Sequence, residues 1–211
     1  SSTVSWGSEM CIRDRSYWSP SVDGAAAGQG GAASVIDADN SKRKVYTYLG
    51  GSQPLSNASN AVSLSNIDNL GKELFGNPDM LDDQHKLLVR WTRGQDVLDE
   101  DRDGNMTESR KFLADPLHSR PYLQVFGGDQ NNPDTTIFYG DNQGFLHAID
   151  GETGEAEFSF IPAELLINQN AYMNQRVLDG PRPYGMDGSV VAWFDDRNGD
   201  RIVNGSDSVY I

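Results

Sequence analysis

The chain is short of cysteine, of basic residues and of long apolar runs. Its single cysteine, Cys11, excludes an internal disulfide and a zinc site built from several cysteines. Lys and Arg number 17 against 31 Asp and Glu, and the formal net charge of -14 argues against nucleic acid or an anionic membrane surface as the main partner. No segment approaches the roughly 18 apolar residues that a membrane-spanning helix needs.

Catalytic motifs are missing as well. The sequence contains no H-E-x-x-H, G-x-S-x-G or P-loop pattern. His118 lies in a Pro-Leu-His-Ser corner and His147 in a strand pattern, where a histidine is more often a hydrogen-bonded structural residue than a ligand. The sequence therefore predicts a protein that is not an enzyme.

Aspartate and glycine are abundant. Aspartate outnumbers glutamate by 23 to 8, and aspartate accumulates in turns, helix caps and cation-binding loops. The 22 glycines and 9 prolines add many chain breaks, while a hydrophobic content of 37% suffices for a core. These numbers predict a folded, acidic, loop-rich protein with β-strands.

The chain divides into four segments by composition. Residues 1–15 resemble read-through from a sequencing adapter and are expected to be non-native, and 16–77 form a loop-rich lead-in with one strand at 44–49. Residues 78–110 hold a helix over 78–93, capped by Asn77 and stopped at Gly94, and then an acidic loop. Residues 111–211 are β-structure. We expect the chain to be a piece of a longer protein, and the signal peptide of an exported precursor would be lost with the missing start.

Alternating apolar residues predict strands in the last segment. Four of them, at 121–126, 136–139, 144–149 and 156–161, are joined by turn residues that favour antiparallel hairpins. Four consecutive antiparallel strands over about 45 residues are the size of one β-propeller blade. A turn-and-helix insertion near 162–175 follows, and strand patterns at 188–194 and 209–211 begin a second blade.

The sharpest site prediction is a calcium-binding loop at 196–207. Oxygen donors stand at positions 1, 3, 5, 9 and 12, and the position-7 carbonyl can add a sixth ligand, as a hard cation requires. The ligands predicted for this first site are Asp196, Asn198, Asp200, Ile202, Asn204 and Asp207. Arg201 replaces the glycine that calcium loops of the EF-hand type carry at position 6, so the turn is expected to differ from an EF-hand.

A second, weaker calcium site is predicted just after the helix. Aspartates at positions 1, 3 and 5 and Gly104 at position 6 again match a calcium loop, although position 12 is Arg110. A glutamate two residues earlier is an alternative last ligand. The ligands predicted for this second site are Asp99, Asp101, Asp103, Asn105 and Glu108. For both loops, a solvated acidic turn is the simpler alternative.

The order of several motifs resembles one known family. Residues 137–160 are similar to a quinoprotein-type propeller blade. The motifs then occur in the order LVRWTRGQDV (88–97), DPLHSRP (115–121), GFLHAID (144–150), FIPAEL (160–165) and YGMDGS (184–189). This series resembles the start of the carboxy-terminal propeller of the PilC/PilY family of type IV pilus tip-associated adhesins and biogenesis proteins. The resemblance implies a mainly β fold, a partial β-propeller preceded by a helical linker.

The resemblance also implies a function. It implies a calcium-binding propeller region, at the pilus tip or the outer membrane, that supports pilus assembly, twitching motility and surface adhesion. Minor pilins and host or abiotic surfaces would be its partners, and the D-x-N-x-D loop, matched by Asp196, Asn198 and Asp200, would hold its Ca²⁺. Two alternatives are a generic extracellular propeller that binds sugar or protein, and a quinoprotein dehydrogenase. Many quinoprotein dehydrogenases have a pair of adjacent cysteines, and this chain has one cysteine.

Overall fold

The computed structural model describes residues 15–26, 28–116, 118–174, 183–186 and 188–211. The segment predicted to be non-native lies outside the described residues, apart from Arg15. The described residues form seven β-strands and three short α-helices. The strands are β1 (Val45–Tyr46), β2 (Tyr122–Gly128), β3 (Pro133–Gly140), β4 (Leu146–Asp150), β5 (Ala156–Phe160), β6 (Trp193–Asp195) and β7 (Ser208–Tyr210), and the helices are α1 (Gly31–Ser34), α2 (Asp82–Thr92) and α3 (Gln169–Met173).

Strands β2 to β5 form an antiparallel meander, which confirms the strand pairing predicted for residues 121–161. The turn between β3 and β4 is built on Asp141, whose Oδ1 accepts the backbone N–H groups of Gln143 and Phe145, each at 2.9 Å. Gly144 completes it with a positive φ of 96°. Asp150 accepts backbone N–H groups in the next turn in the same way.

Strand β1 extends this meander to a mixed sheet of five strands in the order β1-β5-β4-β3-β2. It pairs in parallel with β5, with Val45 opposite Ser159. The sequence predicted a strand at 44–49 without a partner, and the observed strand is shorter.

Strands β6 and β7 form a separate antiparallel pair. The predicted strand over 188–194 is also shorter than expected, because 188–192 carry no strand.

The expectation of a mainly β fold is met only in part, since helical and strand residues are about equal in number and the described residues do not close a propeller. The loop-rich lead-in contains short 3-10 helices, and the side chain of Asn57 caps one of them by accepting the N–H of Ser59. The 3-10 helices span Asn40–Lys42, Ala58–Asn60, Leu64–Asn66, Lys72–Phe75 and Ala163–Asn168.

Helix α2 is also shorter at its start than the predicted 78–93. Asn77 stabilises a separate turn instead of capping the helix: its carbonyl accepts the N–H of Met80, and its side chain accepts that of Asp79. The helix begins at Asp82 and ends at Thr92. Gly94 follows with a φ of 92°, the left-handed stop that the sequence predicted.

The main hydrophobic core joins the lead-in, helix α2 and the sheet. Its buried members come from β1, the segment between β1 and α2, α2 itself, the turn before β4 and the segment after β5. They are Val45, Val62, Leu70, Phe75, Met80, Leu88, Val89, Phe145, Ile161 and Leu166. Each of the three predicted segments that follow residue 15 therefore contributes residues to this core, while the boundaries between the segments stay a prediction.

In the part of the chain that the structure describes, no helix is both long enough and apolar enough to cross a bilayer.

Candidate metal centres

The loop 196–207, named here the hairpin loop, connects β6 to β7 as the sequence predicted. Asp195 pairs with Ser208 at its base, so the two ends of the loop are held side by side. Three carboxylates meet inside it: one oxygen atom each from Asp196, Asp200 and Asp207 lies within 4.8 Å of the others. The structure thus brings positions 1, 5 and 12 of the predicted calcium loop together.

Backbone N–H groups hold the first and last of these carboxylates. Asp196 accepts from Gly199 N at 2.6 Å and from Arg201 N at 3.0 Å. Asp207 accepts the N–H of Arg197 at 2.9 Å on one oxygen and the N–H of Asn204, at position 9, at 3.1 Å on the other. These bonds preorganise the two carboxylates, since neither can rotate freely.

Arg201 occupies position 6, where a glycine would be usual. Its φ is 63°, the left-handed conformation that a glycine adopts there without cost. A side chain in this region costs about 1–2 kcal/mol. Arg201 therefore adopts the conformation that favours glycine, and the prediction that the turn differs from an EF-hand stays a prediction.

The two asparagines of the hairpin loop contact Asp200. Asn198 Nδ2 donates to Asp200 Oδ2 at 3.1 Å and to Asn204 Oδ1 at 2.9 Å, and Asn204 Nδ2 donates to Asp200 Oδ2 at 2.8 Å. The N–H of Ile202 donates to Asp200 Oδ1 at 2.8 Å. This backbone bond, followed by the Asn204 amide, lowers the pKa of Asp200 from its ordinary value of 3.8. Cation binding requires the amides to turn, so that oxygen atoms replace the N–H groups beside Asp200.

The second predicted site lies in the loop 96–108, named here the helix-following loop. Its base is closed by an antiparallel bridge between Gln95 and Ser109. Oxygen atoms of Asp99, Asp101 and Asp103 lie within 4.8 Å of one another, and Asp99 Oδ1 accepts the N–H of Gly104 at 3.0 Å. The hairpin loop makes the corresponding bond, since the N–H of Arg201 at its position 6 donates to Asp196 at its position 1.

A second group in the same loop includes a residue that the sequence reasoning missed. Asp96, which is 4% exposed, comes together with Asp101 and Glu108 within 4.8 Å. Both oxygens of Asp96 accept the N–H of Glu100 at 3.0 Å. Asp96 lies three residues before the Asp-x-Asp-x-Asp pattern, and the only available signal was its position just after the helix stop.

Burial and neighbouring negative charges both act on Glu108 in the helix-following loop. The pKa of Glu108 is raised from its ordinary value of 4.5, first by burial and then by the negative charges of Asp103, Asp101 and Asp96. Asn105 Nδ2 offers Glu108 Oε2 a long hydrogen bond of 3.4 Å. A bound divalent cation would relieve this repulsion.

The donor chemistry of both loops fits a hard cation. Each offers several carboxylate and amide oxygens, the ligands that Ca²⁺ takes in proteins, and the acidic groups found in the described residues include no histidine or cysteine. His147, one of the two histidines weighed from the sequence, is 2% exposed; its Nε2 lies 2.9 Å from Asp141 Oδ2 and its Nδ1 lies 2.8 Å from Ser159 Oγ. His147 is therefore hydrogen-bonded and buried, as the sequence predicted, and its structural role stays a prediction.

Comparisons with known proteins add no assignment. No family model matches the chain, and no curated protein or solved structure matches it either.

Proposed function

We propose that this chain is a non-enzymatic, calcium-binding propeller region of an exported type IV pilus protein of the PilC/PilY kind. The observation that carries the proposal is the hairpin loop. Asp196, Asp200 and Asp207 converge between two antiparallel strands, with the first and last carboxylates oriented by backbone N–H groups. An ion there would fasten the base of a strand pair.

Calcium fits the hairpin loop better than magnesium does. Magnesium needs near-ideal octahedral geometry and keeps several waters, whereas calcium accepts six to eight oxygen ligands at variable angles. The loop supplies carboxylates from Asp196, Asp200 and Asp207, amide oxygens from Asn198 and Asn204, and the Ile202 carbonyl. The helix-following loop is the proposed second, weaker site.

The propeller part of the proposal rests on strand arrangement. Strands β2 to β5 follow one another in antiparallel order, which is the arrangement of a four-stranded blade. Strands β6 and β7 would then start a second blade after the insertion that contains α3. The pilus assignment rests on the order of the sequence motifs and supports a location at the cell surface, pilus tip or outer membrane, with minor pilins and host or abiotic surfaces as partners.

Two other functions remain as alternatives. A sugar- or protein-binding extracellular propeller would share the meander and the calcium loops, and only the pilus motifs favour the first proposal over it. A quinoprotein dehydrogenase would share the blade pattern. Titration with pyrroloquinoline quinone separates this enzyme from the others, because stoichiometric uptake with alcohol- or sugar-dependent turnover would overturn a non-enzymatic role.

Calorimetry on the full chain tests the calcium site. We expect the wild type to take up calcium and Asp200→Ala to lose the tighter of the two binding events. The matched control is Asp68→Ala, an exposed aspartate outside both loops, which should bind as the wild type does. Equal uptake by Asp200→Ala and wild type would exclude the hairpin loop, and no uptake by the wild type would remove calcium from the function.

A further inference from the structure

The hairpin loop contains two Asn-Gly pairs, Asn198-Gly199 and Asn204-Gly205. Asparagine is chemically labile before glycine, because the missing side chain lets the backbone nitrogen approach. That nitrogen loses its proton and attacks the side-chain carbonyl carbon, and ammonia leaves as the succinimide ring closes. Water then opens the ring to aspartate or isoaspartate. We propose that Asn204, and not Asn198, is the deamidation site of the folded chain.

The structure protects Asn198 through its glycine. The N–H of Gly199 donates to Asp196 Oδ1 at 2.6 Å, and a proton held by a carboxylate is lost less readily. The side chain of Asn198 is held as well, since its Oδ1 accepts the N–H of Asp200 at 2.9 Å and its Nδ2 donates twice. Both reacting groups of this pair are therefore fixed.

The pair Asn204-Gly205 differs in its glycine, because the Asn204 side chain is held as well: its Oδ1 accepts from Asn198 and its Nδ2 donates to Asp200. Within the described part of the chain, the N–H of Gly205 makes no hydrogen bond, and Gly205 and its neighbours Asn204 and Ser206 are exposed. The turn is held instead through the backbone of Asn204, whose N–H donates to Asp207 and whose carbonyl accepts from it. These bonds leave the attacking nitrogen open to water and base.

Deamidation would change the charge at the loop's centre. Asn204 Nδ2 now donates to Asp200 Oδ2 at 2.8 Å, so its conversion to aspartate would place two carboxylates face to face. Like charges at this distance weaken the loop without a cation and favour cation binding. This consequence, unlike the site of deamidation, rests on the proposed calcium function.

The first experiment measures deamidation at both asparagines by peptide mapping, in the full chain with a chelator, folded and unfolded in urea. Each folded rate is divided by the unfolded rate of the same asparagine. We expect Asn198 to be protected roughly tenfold or more relative to Asn204, as a hydrogen bond to a charged group implies. Asn204→Gln should lose the folded-state reaction while Asn198 keeps its slow rate. Equal protection of both, or no reaction at Asn204 in the folded chain, would overturn the proposal.

The second experiment compares calcium binding by Asn204→Asp and wild type. We expect tighter binding by Asn204→Asp, by several-fold, together with a hairpin that unfolds more easily in chelator. Equal affinity would overturn the calcium consequence. No uptake by either protein would overturn the proposed function, and the selectivity of deamidation would still be decided by the first experiment.

Discussion

The helix-following loop and the hairpin loop carry the same alternation of acidic residues on different supports. The first is joined to the core. Asp96 is buried, and the guanidinium carbon of Arg110, a residue that is 8% exposed, lies 4.2 Å from the centre of the Trp91 ring. The second extends from a two-stranded sheet whose Trp193 and Tyr210 are 62% and 59% exposed. One loop is therefore preorganised by the fold and the other mainly by its own hydrogen bonds, so cation binding should affect their stability differently.

The largest effect is expected from removing the anchor of the helix-following loop. Arg110→Ala should lower the free energy of unfolding by about 3 kcal/mol, because it removes a buried cation stacked on Trp91 and the partner of Glu100. Urea unfolding followed by tryptophan fluorescence measures this. Arg110→Lys, which keeps the charge without the planar stack, should lose less. An unchanged midpoint in Arg110→Ala would show that the core does not anchor this loop.

The next largest effect is expected from calcium binding to the hairpin loop. At a concentration of about 100 times the dissociation constant, the ion should stabilise the hairpin by about 2.7 kcal/mol, since unfolding of the hairpin releases it. Hydrogen exchange of amides in 193–210, with calcium and with chelator, measures this. Amides of β3 and β4 serve as the internal control and should change little. Uniform protection of both regions would contradict the view that the hairpin is supported independently.

A smaller effect is expected from relieving strain in the hairpin loop. Arg201→Gly should stabilise the hairpin by about 1 kcal/mol, because glycine adopts the observed φ of 63° freely. Arg197→Gly is the control in the same loop, since Arg197 does not have a positive φ and its loss should destabilise the hairpin. Exchange rates of the β6 and β7 amides distinguish the two. Equal effects of both substitutions would show that Arg201 carries no strain.

The smallest effect concerns pH and the helix-following loop. The folded-state pKa of Glu108 is raised above 4.5, so its ionisation opposes folding, and this cost is present above the folded pKa and lost as pH falls below the unfolded value. Glu108→Gln should therefore be more stable than wild type near pH 7 in chelator, with no difference at pH values well below 4.5.

Urea titrations at a series of pH values measure the Glu108 effect. Glu152→Gln, an exposed glutamate outside both loops, is the control and should show no such pH-dependent gain. Calcium should reverse the order, because Glu108→Gln removes a ligand. A Glu108→Gln variant less stable than wild type at pH 7 in chelator would contradict the repulsion among Asp96, Asp101, Asp103 and Glu108.

Local chemistry made much of the fold predictable. The strands of the meander follow from alternating apolar residues, and their turns from Asp141 and Asp150, each of which bonds backbone N–H groups a few residues ahead. The end of α2 at Gly94 is equally local. The start of α2 was predicted too early, because Asn77 can either cap a helix or stabilise a turn. In the structure it stabilises the turn, next to Met80, which packs into the core.

The sequence by itself determined the two acidic loops, the strand pairing of β2 to β5 and the hairpin that joins β6 to β7, because short-range hydrogen bonds and side-chain alternation act within a few residues. Only the tertiary structure decided that β1 adds in parallel to β5 and that Asp96 joins Asp101 and Glu108. The strand pairing joins residues far apart in sequence, and the acidic group depends on a chain path closed by the Gln95–Ser109 bridge. Such contacts form only when burial of the shared core offsets the entropy of closing the intervening chain.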